Sequence, residues 1–466
     1  LLESGGLQLS PPAQELNQGT IVGDPYASPK LTRHRQAGGT VHLWNTRVGD
    51  AEGAKYVPLD EIDFEARAWT EMSGWPFERR HLEPFYCRAQ RLCGLGVFDY
   101  DGHSWTDAEH PPLPLTGDRL TTRIYQFGAG QIFTKTYLDE LRQASNISLC
   151  YHANVTGLET DASGQRVASA RVACLRGRAF VVRAKAFVLA GGAIENARLL
   201  LLSNQRHPQG LGNQHGWVGR CFMEHPRDYS LTLMPKDGRL LEEAAFYAPH
   251  AASGVLVMGR LALRQETMCR AALPNMSVTL LPQPNEPWLI SALGLDRLWG
   301  RRRSFPSSQP GWSLAKRKAR NFGGFRLLIN LEQIPNQENR IVLGRKRDAL
   351  GQPKVEIHWR WRPLDEENLE RLRALVTDEL EQSGLGRIEC EPGLRPDPNA
   401  HHHAGTTRMN PDPRYGVADE NARVHGIENL FLAGGSLFPT AGFANPTLTI
   451  AALTLRLADH LKRGAI

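Results

Sequence analysis

The sequence predicts an α/β chain, α+β overall, in which βα units at both ends enclose a β-rich, largely antiparallel middle. Three observations lead there. The apolar run Ala186-Phe187-Val188-Leu189-Ala190 reads as a buried strand; Gly191-Gly192 follows, then an apolar helical stretch from Ala193 to Ser203. The same strand–glycine–helix order returns near the C-terminus, where Leu430-Phe431-Leu432-Ala433 leads into Gly434-Gly435 and a helix runs from Asn445-Pro446 to about residue 462. Between these units, residues 325–361 alternate in β fashion, as FRLLINLEQ, a turn at Pro335-Asn336, RIVLG and KVEIHWRW. Alternating βα units interrupted by antiparallel sequence imply one domain inserted into another.

The remaining elements follow in chain order. Leu1–Glu3 reads as the tail of a strand ended by Gly5-Gly6. Residues 79–92 carry Leu82, Phe85, Tyr86, Ala89 and Leu92 at helical spacing, and residues 154–174 hold two β runs around Asp161-Ala162-Ser163-Gly164. Residues 364–382 form a charged amphipathic helix closed by Gly384. The resulting boundaries are 1–230, with a helical and loop excursion over 61–144; a second domain over 231–395; and a return to the first over 396–466.

Composition narrows the class. With 466 residues, 41% hydrophobic and a net charge of only +6, the chain is long enough for a sizeable core and is not globally disordered. The longest near-apolar stretch, 184–194, is broken by Lys185 and a glycine pair, too short and turn-like to span a bilayer. Seven cysteines at wide spacing, with no CxxC pair, indicate neither a disulfide framework nor a zinc ribbon; reduced thiols in a cytoplasmic protein are the simpler reading. The start lacks the basic and apolar regions of a signal peptide. The basic excess lies in residues 297–320, eight Lys and Arg with no acid, which leaves the rest slightly acidic. That run reads as a solvated loop or as a lid or docking surface, and no nucleic-acid-binding module accompanies it.

The C-terminal 65 residues carry the most chemistry. Asn445 before Pro446 is a good N-cap, and the helix behind it is apolar at Leu448, Ala451, Ala452, Leu455 and Leu461. A buried helix N-terminus offers free N–H groups and about half a positive charge, which suits an anion. Upstream stands His401-His402-His403. Successive side chains diverge in any regular element, so the triplet reads as one active residue with two neighbours. A metal site is the competing reading, but no matching Asp, Glu or His spacing supports it.

The order H-x-x-G-T from His402, then N-L-x-x-x-x-x-S-x-F-P-T, Asn445 and P-T-L-T resembles the glucose–methanol–choline (GMC) flavoprotein oxidoreductases. The segments beginning at Trp75, Ala153, Val218 and Glu332 follow the same family's pattern. Within it, the chain resembles the branch of pyranose oxidases and bacterial sugar or glycoside oxidoreductases. The resemblance implies a Rossmann-like FAD-binding domain interrupted by a substrate domain with a large antiparallel sheet. It also implies non-covalent FAD, because Leu43 stands where some relatives link flavin to histidine and His42 is one residue off. The family's catalytic pair falls on His402 and Asn445. Its cofactor-binding positions fall on Glu3, Gly38, Gly39, Thr40, Asn45, Val155, Ala190, Gly191, Gly434, Gly435, Pro446 and Thr447. Glu224-His225 lines the cavity or forms a surface turn.

The implied function is oxidation of a CH–OH group on a sugar, glycoside or glycosylated natural product to a carbonyl. Histidine, with an ordinary pKa near 6.5, can take the hydroxyl proton while hydride leaves for flavin N5. The partners are then a small-molecule alcohol and dioxygen or another electron acceptor. One departure stands out: the chain opens in the strand that should follow the G-x-G-x-x-G turn, so that first βα unit is expected to be missing. Two alternatives are a lyase of the same fold without net redox and, if the chain truly starts at Leu1, a non-catalytic binding protein.

Overall fold

The computed structural model describes residues 1–44, 46–48, 51–285 and 322–464, so Asn45 and the basic run 297–320 lie outside the described residues. Among the described residues, the largest element is a ten-stranded sheet, eight strands along one path with Arg227–Asp228 and His250–Ala252 paired beside it. Its path runs from Gly386–Cys390 through Leu231–Pro235, Phe322–Leu331, Met276–Pro284, Val255–Leu263, Leu120–Ala129 and Ala51–Tyr56 to Thr46–Val48. Each pairing along it is antiparallel.

Two expectations change here. The stretch 61–144 is not only helix and loop: Leu120–Ala129 is a central strand of this sheet. Its sequence LTTRIYQFGA is rich in β-branched and aromatic residues, which pack well on a pleated surface. Nor is 325–361 one continuous antiparallel unit. Phe322–Leu331 joins the large sheet, whereas Arg340–Arg347 and Pro353–Trp359 pair with each other and, in parallel, with Gly19–Gly23. The connection between them is too long for a tight hairpin and leaves each segment free to choose its own partner.

The two faces of the large sheet differ because side chains alternate along each strand. Ile124, Val257, Leu261, Val278, Leu280, Leu327 and Ile329 share one face and are fully or nearly fully buried. Burying each such side chain contributes about 1.5–3 kcal/mol. The other face carries Lys55, Tyr125, Arg260, Ser277 and Thr279. The guanidinium of Arg260 lies 4.4 Å from the centre of the Phe443 ring, so this polar face looks toward the segment that ends in Asn445.

A separate parallel pair, Phe187–Leu189 with Leu430–Leu432, brings two glycine turns side by side. The strand at 187–189 is not fully buried as expected: Val188 is 45% exposed, since among the described residues only one edge of this strand is paired. Helix Gly192–Leu202 follows it, and helix Thr447–Lys462 packs against helix Arg79–Leu92 through Arg88–Asp459 and Tyr86–Thr449. The 154–182 region forms a three-stranded meander. Among the described residues, no helix is long and apolar enough to cross a membrane.

Candidate active site

The site is assembled by one short antiparallel contact. Met223 and Ala404 exchange backbone hydrogen bonds at 3.0 and 3.1 Å. In an antiparallel pair, stepping two residues forward on one chain and two back on the other again gives opposed positions. His225 therefore faces His402, and Glu224 faces His403, on alternate sides. The measured contacts agree: Nδ1 of His225 and Nδ1 of His402 are 2.8 Å apart, while His403 Nε2 lies 3.3 Å from Glu224 Oε1. The 401–409 loop is held on its other side by Gly405 N–H to Gly435 O and Thr407 N–H to Ser436 O.

Asn445 approaches from the third direction. Its Nδ2 is 3.2 Å from His402 Nε2. This corrects its expected role as a helix cap: helix Thr447–Lys462 begins after Pro446 without a side-chain cap. The Asn445 amide is committed to the imidazole instead. Likewise Leu455 and Leu461 are only partly buried, and Leu448, Thr449, Ala451, Ala452, Leu453 and Leu457 form the buried side of that helix.

Glu224 is fully buried and His225 is 1% exposed, so the pair is not a surface turn. Glu224 Oε2 accepts the His402 N–H at 2.8 Å, and Oε1 accepts the hydroxyl of Tyr26. Burial works against a charge on Glu224, but His403, Tyr26 and the His402 amide overcome it and hold the carboxyl below its ordinary range. Burial first, then the neighbouring His225 ring and the charges of Lys55 and Arg227, push His402 well below its ordinary value. Burial likewise lowers His225 to about 4. Both rings are therefore neutral at physiological pH, the form in which histidine can accept a proton.

The loop carrying Asn445 is anchored from below. Trp75 Nε1 donates to Thr440 Oγ1 at 3.1 Å, and Thr440 Oγ1 donates to the Asp63 carbonyl at 2.5 Å. Burial, with Glu332 and Asp60 nearby, raises the Asp63 carboxyl to about 8. His401, in the left-handed region at φ 62°, turns away from His402. One ring nitrogen each from His401 and His403 and a carboxylate oxygen of Glu224 lie within 4.8 Å of one another and could hold a metal ion. Glu224 lies 177 positions before His401, so the sequence offered only the two histidines of this group.

The expected cofactor positions fall into three clusters. Glu3 follows Leu2, which forms an isolated parallel bridge with Cys150, and accepts the Gly5 N–H at 2.6 Å, with Val155 at the start of strand Asn154–Thr160. Ala190-Gly191 and Gly434-Gly435 end the two parallel strands; Asn196 joins them, accepting from Gly191 N–H and donating to Ala433 O. Gly38, Gly39 and Thr40 form a turn whose His42 is exposed and lies 3.0 Å from Ala37 O through Nε2. Two arginines tie the clusters together, Arg35 to Ser4 at 2.6 Å and Arg33 to Glu195 at 2.7 Å. Among the described residues, no hydrogen bond or ion pair joins Gly38–Thr40 directly to His225 or His401–His403.

These residues fit a flavin dinucleotide. Gly434, at φ 114°, closes its turn with open space where a Cβ would lie. Among the described residues, the amides of Thr447, Leu448 and Thr449 donate to no backbone carbonyl outside their helix, which leaves a positive helix end beside Asn445 and Pro446. Parallel strands ending in glycine turns form the crevice in which dinucleotides bind.

Comparison with known proteins supports the same class. Residues 335–454 match the C-terminal domain of the GMC oxidoreductase family. The chain is 27% identical to the fructose dehydrogenase large subunit of Gluconobacter japonicus, over 82% of this chain and 74% of that one. It is 28% identical to paromamine 6'-oxidase of Streptomyces fradiae, over 98% and 86%. Pyridoxine 4-oxidase from Mesorbium loti superposes with a TM-score of 0.53 at 16% identity, over 99% of this chain and 94% of that one, and so shares its fold. Fold, site and relatives together define an FAD-dependent alcohol oxidoreductase.

Proposed function

We propose that the chain oxidises a CH–OH group of a sugar, a glycoside or a glycosylated natural product to a carbonyl. The observation that carries this reading is the approach of Asn445 Nδ2 to His402 Nε2 at 3.2 Å, in a part-buried position where the imidazole is neutral. His402 Nε2 takes the hydroxyl proton in exchange for its hydrogen bond from Asn445, whose released amide then hydrogen-bonds the oxygen as it gains negative charge. FAD, when bound, would supply the hydride acceptor. The backbone turns at Gly38–Thr40, Ala190-Gly191 and Gly434-Gly435, with Glu3, Asn45, Val155, Pro446 and Thr447, hold that cofactor, and helix Thr447–Lys462 favours negative charge on it.

The binding is non-covalent, since His42, the nearest histidine to the linkage position of some relatives, is engaged with Ala37 O. Residues 1–230 and 396–466 form the cofactor domain and 231–395 the substrate domain, with the large sheet taking further strands from the first. The second substrate would be dioxygen or another electron acceptor. Seven free cysteines fit a reducing, cytoplasmic setting.

His402→Ala should retain flavin and lose about 10²–10⁴-fold in the rate of anaerobic flavin bleaching by a reactive sugar. Bleaching at the wild-type rate would refute the role of His402. A panel of sugars and glycosides that leaves the wild-type flavin oxidised would refute the substrate class.

A further inference from the structure

The chain of contacts behind His402 fixes more than its position. Ala441 O, a carbonyl, can only accept a hydrogen bond, and it lies 3.2 Å from His225 Nε2. That nitrogen therefore carries the proton. A neutral imidazole has one N–H, so His225 Nδ1 is a bare acceptor. The atom facing it at 2.8 Å is His402 Nδ1, which must then be the donor. The single proton of His402 is thereby spent on Nδ1, and Nε2 keeps its lone pair as an acceptor. The opposite end of the chain agrees independently, because Asn445 presents Nδ2, a donor, to that same Nε2 at 3.2 Å.

We propose that His225 is a positioning residue that sets the tautomer of His402, holding Nε2 unprotonated and so able to accept the substrate proton. The inference rests on the reading of His402 as the base and adds to it a reason why the correct nitrogen is available. Without an acceptor at residue 225, His402 would distribute its proton between both nitrogens, and the Nε2-protonated fraction could not take a proton from substrate. Glu224 holds the His402 backbone and His225 holds its ring, so the adjacent Glu-His pair before Pro226 fixes both the place and the protonation pattern of one side chain. A protease histidine held in the wrong tautomer loses about 10⁴ in rate, which sets the scale of such an effect.

The test compares two substitutions in the FAD-loaded full chain. His225→Asn keeps an acceptor oxygen near the position of Nδ1; His225→Leu keeps bulk and removes the acceptor. The expected result is a limiting rate of flavin reduction within about tenfold of wild type for H225N and at least about 100-fold lower for H225L, with substrate dissociation constants changed by no more than about twofold. Equal losses in both variants, or no loss in H225L, would overturn the proposal. Should H225L fail to fold, the tautomer can be read directly in ¹⁵N-histidine-labelled wild type, with His402 assigned by its disappearance in H402A. A protonated Nδ1 and a free Nε2 are expected, and a protonated Nε2 overturns the assignment. If H402A reduces flavin normally, the base reading itself fails, whereas a wrong tautomer with inactive H402A fails only the relay.

Discussion

The buried state of His225 makes stability depend on acid in a calculable way. Its pKa falls from 6.5 to about 4 in the fold, chiefly through burial. A depressed value means that the unfolded chain binds a proton below pH 6.5 that the native ring refuses until about pH 4. The stabilisation from keeping this ring neutral is thus present above pH 6.5 and is lost as pH falls toward 4. At 1.36 kcal/mol per unit, the whole span amounts to about 3 kcal/mol, and the part lying between about pH 7 and about pH 4.5 is about 2 kcal/mol. His225→Asn removes this titration. Urea unfolding of wild type and H225N, followed by tryptophan fluorescence at both pH values, isolates the contribution as a difference of differences. The variant should lose about 2 kcal/mol less than wild type on acidification. An identical pH dependence in the two proteins would refute the reasoning, whatever their stabilities at neutral pH.

Other expectations follow from individual contacts. Asn445→Ala should lower the rate of flavin reduction by about 10²-fold while flavin stays bound, measured by anaerobic stopped flow; an unchanged rate would remove its role at the oxygen. Glu332→Gln should cost about 3–5 kcal/mol in chemical denaturation, because it leaves Arg67 (whose side chain is 1% exposed) without the carboxylate 2.7 Å away. Gly405→Ala should prevent accumulation of soluble flavoprotein: φ is 87° there, and a Cβ would overlap the Cys221 carbonyl oxygen beside the His402 loop. Wild-type yield and absorbance in that variant would show the loop to be more yielding than its geometry implies.

Much of this organisation was legible because local chemistry carried it. Leu82, Tyr86 and Ala89 announced the helix that spans Arg79–Leu92, and Gly384 marked the end of helix Pro363–Gln382. The strand–glycine–helix order at both ends likewise survives in the paired turns at Gly191 and Gly434. What stayed hidden was pairing over distance. Nothing in RLLINL distinguishes a strand bound for the large sheet from one that would fold back on RIVLG, since both alternate in the same way. Asn445 illustrates the same limit from the other side. Its residue type and its place before Pro446 make it an excellent cap, but an imidazole donated by a segment 43 positions away takes its amide. Tyr26, which bonds Glu224 across 198 positions, gave no signal at all. Local propensity ranks what a residue can do, and tertiary neighbours choose among those options.

The sequence separations in the site also have a consequence for how the protein matures. Tyr26 meets Glu224, His225 meets both His402 and Ala441, and only the 402–445 contact is comparatively local. Loops this large are slow to close. During synthesis, the strands of the large sheet emerge and can pair while Glu224 and His225 still await partners encoded in the last 65 residues. The carboxylate and ring that are later sealed from water then face solvent, and the 401–445 segment has to arrive as the closing piece. Acquisition of activity is accordingly a late event, a readout of whether the final segment has docked and not merely of whether the sheets have formed.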